Sequence, residues 1–242
     1  MRTLAAPEFL SALGSLFYPP TCVVCAANIG RSEYLCGDCQ RRAPRIVAPF
    51  CAKCSEPFQG AITQTFRCAN CEHRRLHFDC AVAAYRSRGL VRKLVHDFKY
   101  GSQRYLRYPL AAWLRETLDD ERLRGRHFDL IVPVPLHPAR QRERGFNQAA
   151  LLAEILADSI QVPARLVLER TRDTTTQTAY DRAERMENLA GAFRLRKNRD
   201  VRDLRVLLID DVLTTGSTLS ECARVLKVAG ALSVHAATAA RA

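Results

Sequence analysis

Val206, Leu207, Leu208, Ile209, Asp210, Asp211, Val212, Leu213, Thr214, Thr215, Gly216, Ser217 and Thr218 set an apolar run, two acids and a hydroxyl-rich glycine turn in direct succession. Four leucine or β-branched residues in a row read as a strand buried on both faces, with carboxylates where it ends. In an open parallel sheet, ligands bind at that end. Gly216 lets the backbone approach a ligand closely, and Thr214, Thr215, Ser217 and Thr218 offer hydroxyl donors. Leu219, Cys222, Val225, Leu226 and Ala229 follow at helical spacing and Gly230 stops the run, so the loop opens onto a helix N-terminus. This arrangement suits one phosphate and one diol. Loop amides and hydroxyls take the phosphate, while Asp210 and Asp211 accept from ribose hydroxyls or orient magnesium-bound waters. The chain has no GxxxxGK[ST] and no GxGxxG, so this loop is the one that must hold the phosphate.

Eight of the ten cysteines form four CxxC pairs: Cys22/Cys25, Cys36/Cys39, Cys51/Cys54 and Cys68/Cys71. Two such pairs about a dozen residues apart supply four thiolates for a tetrahedral zinc, and the arrangement occurs twice. Sequential pairing of the units and interleaved pairing, first with third, both use all eight residues. Four thiolates leave no open coordination position, so both zincs read as structural. A segment of ~60 residues builds little core alone, whereas a structural zinc contributes ~10–16 kcal/mol of apparent binding free energy, so the metal is expected to be part of folding. His73 and His77 read as surface or packing residues, and Cys80 and Cys222 as small buried ones.

The chain of 242 residues carries a formal charge of +12, and the excess is concentrated in residues 81–150, with fourteen Lys/Arg against seven Asp/Glu. Residues 1–80 hold nine against six, which two tetrathiolate zincs bring to about −1, so the zinc segment is a poor polyanion binder. Between Tyr85 and Tyr108, seven cations (Arg86, Arg88, Arg92, Lys93, Lys99, Arg104 and Arg107) face a single acid, Asp97. Leu90, Val91, Leu94, Val95 and Phe98 make one helical face, with Arg92, His96 and Lys99 opposite. Tyr85, Tyr100, Tyr105 and Tyr108 are interleaved with these charges. Cations beside exposed aromatics suit single-stranded nucleic acid, which makes Arg92, Lys93, Lys99, Arg104, Tyr100 and Tyr105 the candidate contacts. The competing reading is a solvated basic face plus phosphate ligands, with Arg92 and Lys99 turned toward the phosphate pocket.

Positioning these groups requires alternating strands and helices from about residue 80 onward. Apolar strands are expected at residues 81–85, 130–134, 166–168, 206–209 and 234–238, and helices at 90–100, 106–118, 148–160 and 219–228. Such alternation implies a mostly parallel sheet covered on both faces, its functional loops at the strands' carboxyl ends. Residues 136–148 read as a loop whose Arg140, Arg142 and Arg144 can hold a pyrophosphate. The threonine-rich residues 170–178, followed by an Asp181/Glu184 capping box and a short helix with Arg185 and Asn188, read as a mobile lid. The expected division is residues 1–80, an N-terminal helix and double CxxC module, and residues 81–242, the α/β domain. Phe9, Leu10, Leu13, Leu16 and Phe17 form a short amphipathic helix that docks on its own protein. No internal repeat, low-complexity tract or transmembrane-length run is visible, and the first twenty residues suit a secretory signal poorly, which places the protein in the cytoplasm.

Residues 206–218 resemble the phosphoribosyl pyrophosphate binding motif of type I phosphoribosyltransferases. With the four CxxC units, Pro133-Val134-Pro135-Leu136-His137-Pro138, Arg144-Gly145-Phe146-Asn147-Gln148, Gln177, Arg185, Asn188 and Ala192-Phe193, they make nearly the whole chain resemble the ComF family, associated with natural competence in bacteria. The resemblance implies a type I phosphoribosyltransferase-like α/β domain, a mostly parallel sheet with helices on both faces, preceded by a small zinc-ribbon-like module. It implies phosphoribosyl pyrophosphate and magnesium at Asp210, Asp211, Thr214, Thr215, Gly216, Ser217, Thr218, Arg140, Arg144 and Arg185. It further implies handling of internalised single-stranded DNA during transformation, with a competence helicase or other DNA-uptake proteins as partners. A true phosphoribosyltransferase acting on a small nucleobase-like acceptor is the alternative. There Asp210 and Asp211 stabilise positive charge on the ribose as pyrophosphate leaves, without a covalent nucleophile. No segment resembles the base-selecting hood of salvage enzymes, unless the zinc module takes that place.

Overall fold

The computed structural model describes residues 19–30, 33–58, 60, 65–101, 103–172 and 189–242. The N-terminal helix around Phe9 and Phe17, and Gln177, Asp181, Glu184, Arg185 and Asn188, lie outside the described residues. The chain divides into two compact units, Met1–Ala43 and Pro44–Ala242. Its described strands are β1 (Ala81–Arg86), β2 (Leu130–Pro133), β3 (Leu168–Arg170), β4 (Phe193–Leu195), β5 (Arg205–Leu213) and β6 (Ser233–Arg241). Its described helices are α1 (Gly37–Arg42), α2 (Ala69–Glu72), α3 (Gly89–Tyr100), α4 (Arg107–Glu116), α5 (Pro138–Arg144), α6 (Gln148–Ile160) and α7 (Ser217–Val228). Among the described residues no helix is long and apolar enough to cross a membrane.

In the larger unit β1, β6, β5 and β2 form a four-stranded parallel sheet in that order. Val206, Leu207, Leu208 and Ile209 are wholly buried at its centre, each worth about 1.5–3 kcal/mol of burial. Strand alternation splits them between the two faces. Val206 and Leu208 join Val132, Ala236 and Leu219 of α7 in one core, while α4 and α6 pack on each other over the rest of the sheet. Helix α6 has the expected bounds because its ends are marked locally. The Asn147 side chain accepts from Ala149 N at 3.0 Å, and Gln161 closes the helix in the left-handed conformation.

Three sequence expectations are corrected. The strand expected at 166–168 is displaced to β3, which pairs antiparallel with β4 outside the main sheet; the chain before it joins the sheet only through a bridge between Ala164 and Ile131. Residues 138–144, expected as loop, form α5, with His137 Nδ1 accepting from Ala139 N at 3.3 Å, Pro138 in the first turn and Gly145 at φ +76 as the stop. None of its residues is buried, so apolar periodicity could not announce it. Tyr85, counted among the exposed aromatics, is fully buried on Trp113 with its hydroxyl on Glu116, because β1 is covered by α4.

The cysteines cluster sequentially, as Cys22/Cys25/Cys36/Cys39 in the smaller unit and Cys51/Cys54/Cys68/Cys71 in the larger. Within each set the sulfurs lie within 4.8 Å of one another, with Cys25 and Cys36 Sγ 3.6 Å apart and Cys54 and Cys68 Sγ 3.7 Å apart. A tetrahedral zinc with Zn–S of 2.3 Å needs about 3.8 Å between sulfurs, so both sets fit one ion. The two sites are also a structural repeat that the sequence reading did not detect. Each begins in a hairpin bridge, Thr21 to Asn28 and Phe50 to Pro57, turns through a positive-φ residue, Ala26 or Ser55, and ends on a short helix, α1 or α2. Beyond the metal ligands few residues repeat, Pro20 with Pro49 and Arg42 with Arg74 among them, which hides the repeat from composition.

The second site is stitched into the sheet. Ala81 N donates to Lys53 O at 2.8 Å, and Ser55 Oγ, fully buried, bonds Ala81 O at 3.0 Å and Ala83 N at 3.3 Å along the edge strand β1. Cys51, Cys54 and Cys71 pack in the same core as Val132, Leu208 and Ala236. Cys51→Ser and Cys22→Ser are each expected to lose one of two zincs by native mass spectrometry. Cys51→Ser should lower the thermal midpoint of the larger unit by roughly 10 °C or more, while Cys22→Ser leaves it within a few degrees. Equal shifts in the two variants would show that the second site does not stabilise the sheet.

Candidate functional site

The acid pair stands where β5 outruns one neighbour. Pro133 is the last residue of β2 to pair, opposite Ile209, whereas β6 continues beside Asp210, Val212 and Leu213. The carboxylates are thus at the carboxyl end of the sheet, beside a gap in the ladder. Asp211 N donates to Asp210 Oδ1 at 2.9 Å, and Lys99 Nζ, at the end of α3, lies 2.9 Å from Asp211 Oδ1. The side chains of Lys99 and Asp211 are only 23% and 7% exposed, so this pair is little screened by water.

Burial and then the charge of Asp211 push the Asp210 carboxyl up to about 7, against the pull of Lys99, the Asp211 amide and Arg170. Burial acts to lower the Lys99 ammonium, but the charges of Asp211 and Asp210 outweigh it and its affinity for the proton rises. Near neutrality the group therefore exchanges a proton at Asp210 while Lys99 stays charged. Two carboxylates whose repulsion is only partly offset by one ammonium are a hard-oxygen donor set that suits magnesium.

The glycine turn follows directly. Gly216 has φ +78 and ψ 3 and caps α7. A Cβ there would meet Phe78 and Leu213 at ordinary contact distances of 3.5 and 3.6 Å, so the position calls for glycine through its left-handed backbone more than through crowding. Thr215 Oγ1 and Ser217 Oγ lie 2.8 Å apart, Ser217 is buried, and Thr214 is exposed; Thr218 is half-buried in the first turn of α7. Two residues outside the sequence reading join the loop: Asn70 Nδ2 donates to Thr215 O at 3.2 Å, and Arg74 donates through Nη1 to Thr215 O at 3.3 Å and through Nη2 to Ser217 Oγ at 2.8 Å. Both come from the second cysteine site, whose Cys68 and Ala69 share with Asn70, Thr214 and Thr215 the wall of a cavity of about 400 Å3. The available signal was an asparagine inside the last CxxC and an arginine one helical turn beyond it.

The basic residues divide. Lys99, read as a DNA contact or as a residue turned toward the phosphate pocket, serves the acid pair, because the last turn of α3 rotates it toward β5. Arg144 lies over the Tyr100 ring at 4.7 Å and bonds its hydroxyl at 3.1 Å; its charge is felt at Lys99. Arg104 donates to Gly145 O at 3.0 Å and lies over Phe146. The end of α3 and the end of α5 thus meet beside the acids, and Arg140 is half-buried on α5. Arg170, reached at the end of β3, acts electrostatically on Asp210. Arg92 and Lys93 remain exposed, Lys93 paired with Asp97 on its own helix, and Tyr100 and Tyr105 are 61% and 51% exposed.

Comparison with known proteins agrees with both parts. The double zinc ribbon domain family matches residues 13–74, and the phosphoribosyl transferase domain family matches residues 147–242. Competence protein F of Haemophilus influenzae is 31% identical over 220 residues, covering 88% of this chain and 93% of the relative. DNA utilization protein YhgH of Salmonella typhimurium is 32% identical over 224 residues, covering 91% of this chain and 96% of the relative. Competence protein ComFC of Bacillus subtilis is 28% identical over 200 residues, 80% of this chain and 78% of the relative.

A carboxyl with a folded-state value near 7, against about 3.9 when unfolded, binds more protons in the folded protein throughout that interval. Its contribution to stability is present at acid pH and is lost as pH rises toward 7. Asp210→Asn should remove that loss, so urea unfolding at pH 5 and pH 8 should show the variant gaining stability relative to wild type at the higher pH. Parallel pH profiles for the two proteins would contradict the raised value.

Proposed function

The chain belongs to the ComF family, and from that membership we propose that it binds phosphoribosyl pyrophosphate between Asp210 and the N-terminus of α7 and handles internalised single-stranded DNA. The observation that carries the first part is the sequence of acid pair, left-handed Gly216 and helix N-terminus at the carboxyl end of a parallel strand. The loop hydroxyls of Thr214, Thr215, Ser217 and Thr218 and the amides at the start of α7 receive the 5′-phosphate. Asp210 and Asp211 accept from the ribose hydroxyls, with Lys99 balancing their charge. Arg140 and Arg144 hold the pyrophosphate, a role for which Arg185, outside the described residues, is the third candidate. Magnesium would be held by Asp210 and Asp211 and, when bound, offsets the charge of the pyrophosphate. Such a ligand places the protein in the cytoplasm.

For DNA, support comes from the competence and DNA utilization names of the relatives and from cations and aromatics left outside the acid site. Arg92, Lys93 and Arg104 supply charge, and Tyr100 and Tyr105 supply exposed rings on which bases stack. Competence helicase or other DNA-uptake proteins are the natural partners of this activity. The second reading, a true phosphoribosyltransferase with a small nucleobase-like acceptor, is favoured by the poised carboxyls. As pyrophosphate departs, positive charge grows on the ribose, and two preorganised acids next to it lower the barrier. Release of pyrophosphate in the presence of candidate bases distinguishes a transferase from a binding protein.

The double variant Asp210→Asn with Asp211→Asn should bind phosphoribosyl pyrophosphate at least tenfold more weakly by calorimetry, about 1.4 kcal/mol, while keeping its fold. Equal affinity would sink the pocket assignment. For single-stranded DNA, replacing Arg92 and Lys93 with glutamine should flatten the slope of log affinity against log salt by roughly 1.4, at about 0.7 per phosphate contact. Tyr100→Ala or Tyr105→Ala should cost ~1–3 kcal/mol with the slope unchanged. Lys99→Gln should weaken the sugar ligand and spare the salt slope; DNA binding that ignores Arg92, Lys93 and both tyrosines would move the DNA surface elsewhere.

A further inference from the structure

The phosphate loop is not furnished by strand and helix alone. Cys68 and Cys71 anchor the four-residue helix α2 in the second metal site, with Asn70 between them and Arg74 just beyond. Arg74 Nη1 bonds both Asn70 Oδ1 and Thr215 O, and its Nη2 reaches Ser217 Oγ, which is itself 2.8 Å from Thr215 Oγ1. The guanidinium is therefore one hydrogen bond from the hydroxyls offered to a phosphate, at the positive end of α7. Its planar fork matches phosphate oxygens, and Asn70 fixes its approach from the metal-bearing side.

We propose that Arg74 is a direct ligand of the sugar phosphate, presented by the second zinc site, so that zinc in that site and phosphate in the loop stabilise each other. The proposal rests on the phosphoribosyl pyrophosphate reading and adds a residue and a metal site to it. Without ligand, Arg74 occupies the Ser217 hydroxyl; with ligand, the same donors turn to the phosphate, and the loop exchanges one charge-assisted bond for a stronger one. Coupling between two such sites is reciprocal, which makes it measurable from the metal end. Asn70 is a positioning residue, acting through Arg74 and Thr215.

The test uses the full chain with both zincs and ribose 5-phosphate as probe. Arg74→Gln should weaken its binding at least tenfold, Arg74→Lys by less, and Asn70→Ala by a few-fold, with zinc content unchanged. Phosphorus NMR supplies a readout that a merely structural arginine would not move. The bound phosphate should titrate below its free value of about 6 in the wild type and return toward it in Arg74→Gln. Saturating ribose 5-phosphate should slow chelator release of one of the two zincs severalfold in the wild type and not in Arg74→Gln. Wild-type affinity and wild-type phosphate titration in Arg74→Gln would overturn the proposal. If that variant does not fold, zinc release from the wild type unaffected by ribose 5-phosphate overturns it instead. A wild type that binds phosphoribosyl pyrophosphate while the Arg74 variants are unchanged removes only Arg74 from the site; a wild type that binds neither sugar phosphate removes the pocket reading with it.

Discussion

Four clustered cysteines in the larger unit, three of them buried, constrain everything around them. Hydrogen bonds from the Cys54 and Cys71 thiols pull Cys51 far below the ordinary thiol range, while Cys54 is pushed up to about 12 and Cys71 well beyond, each chiefly by its bond to Cys51. A divalent ion removes the conflict by taking four thiolates at once, and the fold exploits that rigidity in two directions. Lys53 and Ser55 tie the knuckle to β1, the edge strand of the sheet, and Arg122 secures it through Cys51 O, Ala52 O and Ser55 Oγ. On its other side, Asn70 and Arg74 meet the glycine loop after β5.

The acid pair poses the same problem with an opposite solution. Asp210 and Asp211 are also desolvated like charges, yet a single ammonium and the raised proton affinity of Asp210 answer them, leaving charge only partly balanced. A closed tetrathiolate site has no position for a further ligand. The acids sit at the open end of a strand, where an exchangeable ligand can finish the neutralisation. This contrast separates a structural metal site from a candidate ligand site within one unit of the protein.

Basic residues follow from that separation. Those within reach of the acids, Lys99 and Arg144, are engaged with Asp211 and Tyr100, whereas Arg92 and Lys93 stay on the solvent side of the same helix. A helix that buries Val91, Leu94, Val95 and Phe98 has about seven-tenths of its circumference left, enough to turn cations both to the acids and to solvent.

Features carried by neighbouring residues were legible from the sequence. The CxxC spacing announced eight metal ligands, the apolar run before Asp210 announced a central strand, and residues 148–160 were legible as a helix, because coordination, burial and apolar spacing each act over a few residues. Helix α5 escaped because it has caps but no buried face. What only the tertiary structure decided are meetings across long sequence separations. Strand order brought Lys99 to Asp211, seated the second cysteine cluster against β1, and set Arg74 on Ser217, 143 residues away. No local propensity encodes such pairs; they exist because a parallel sheet buried on both faces leaves one carboxyl edge where distant loops must share space.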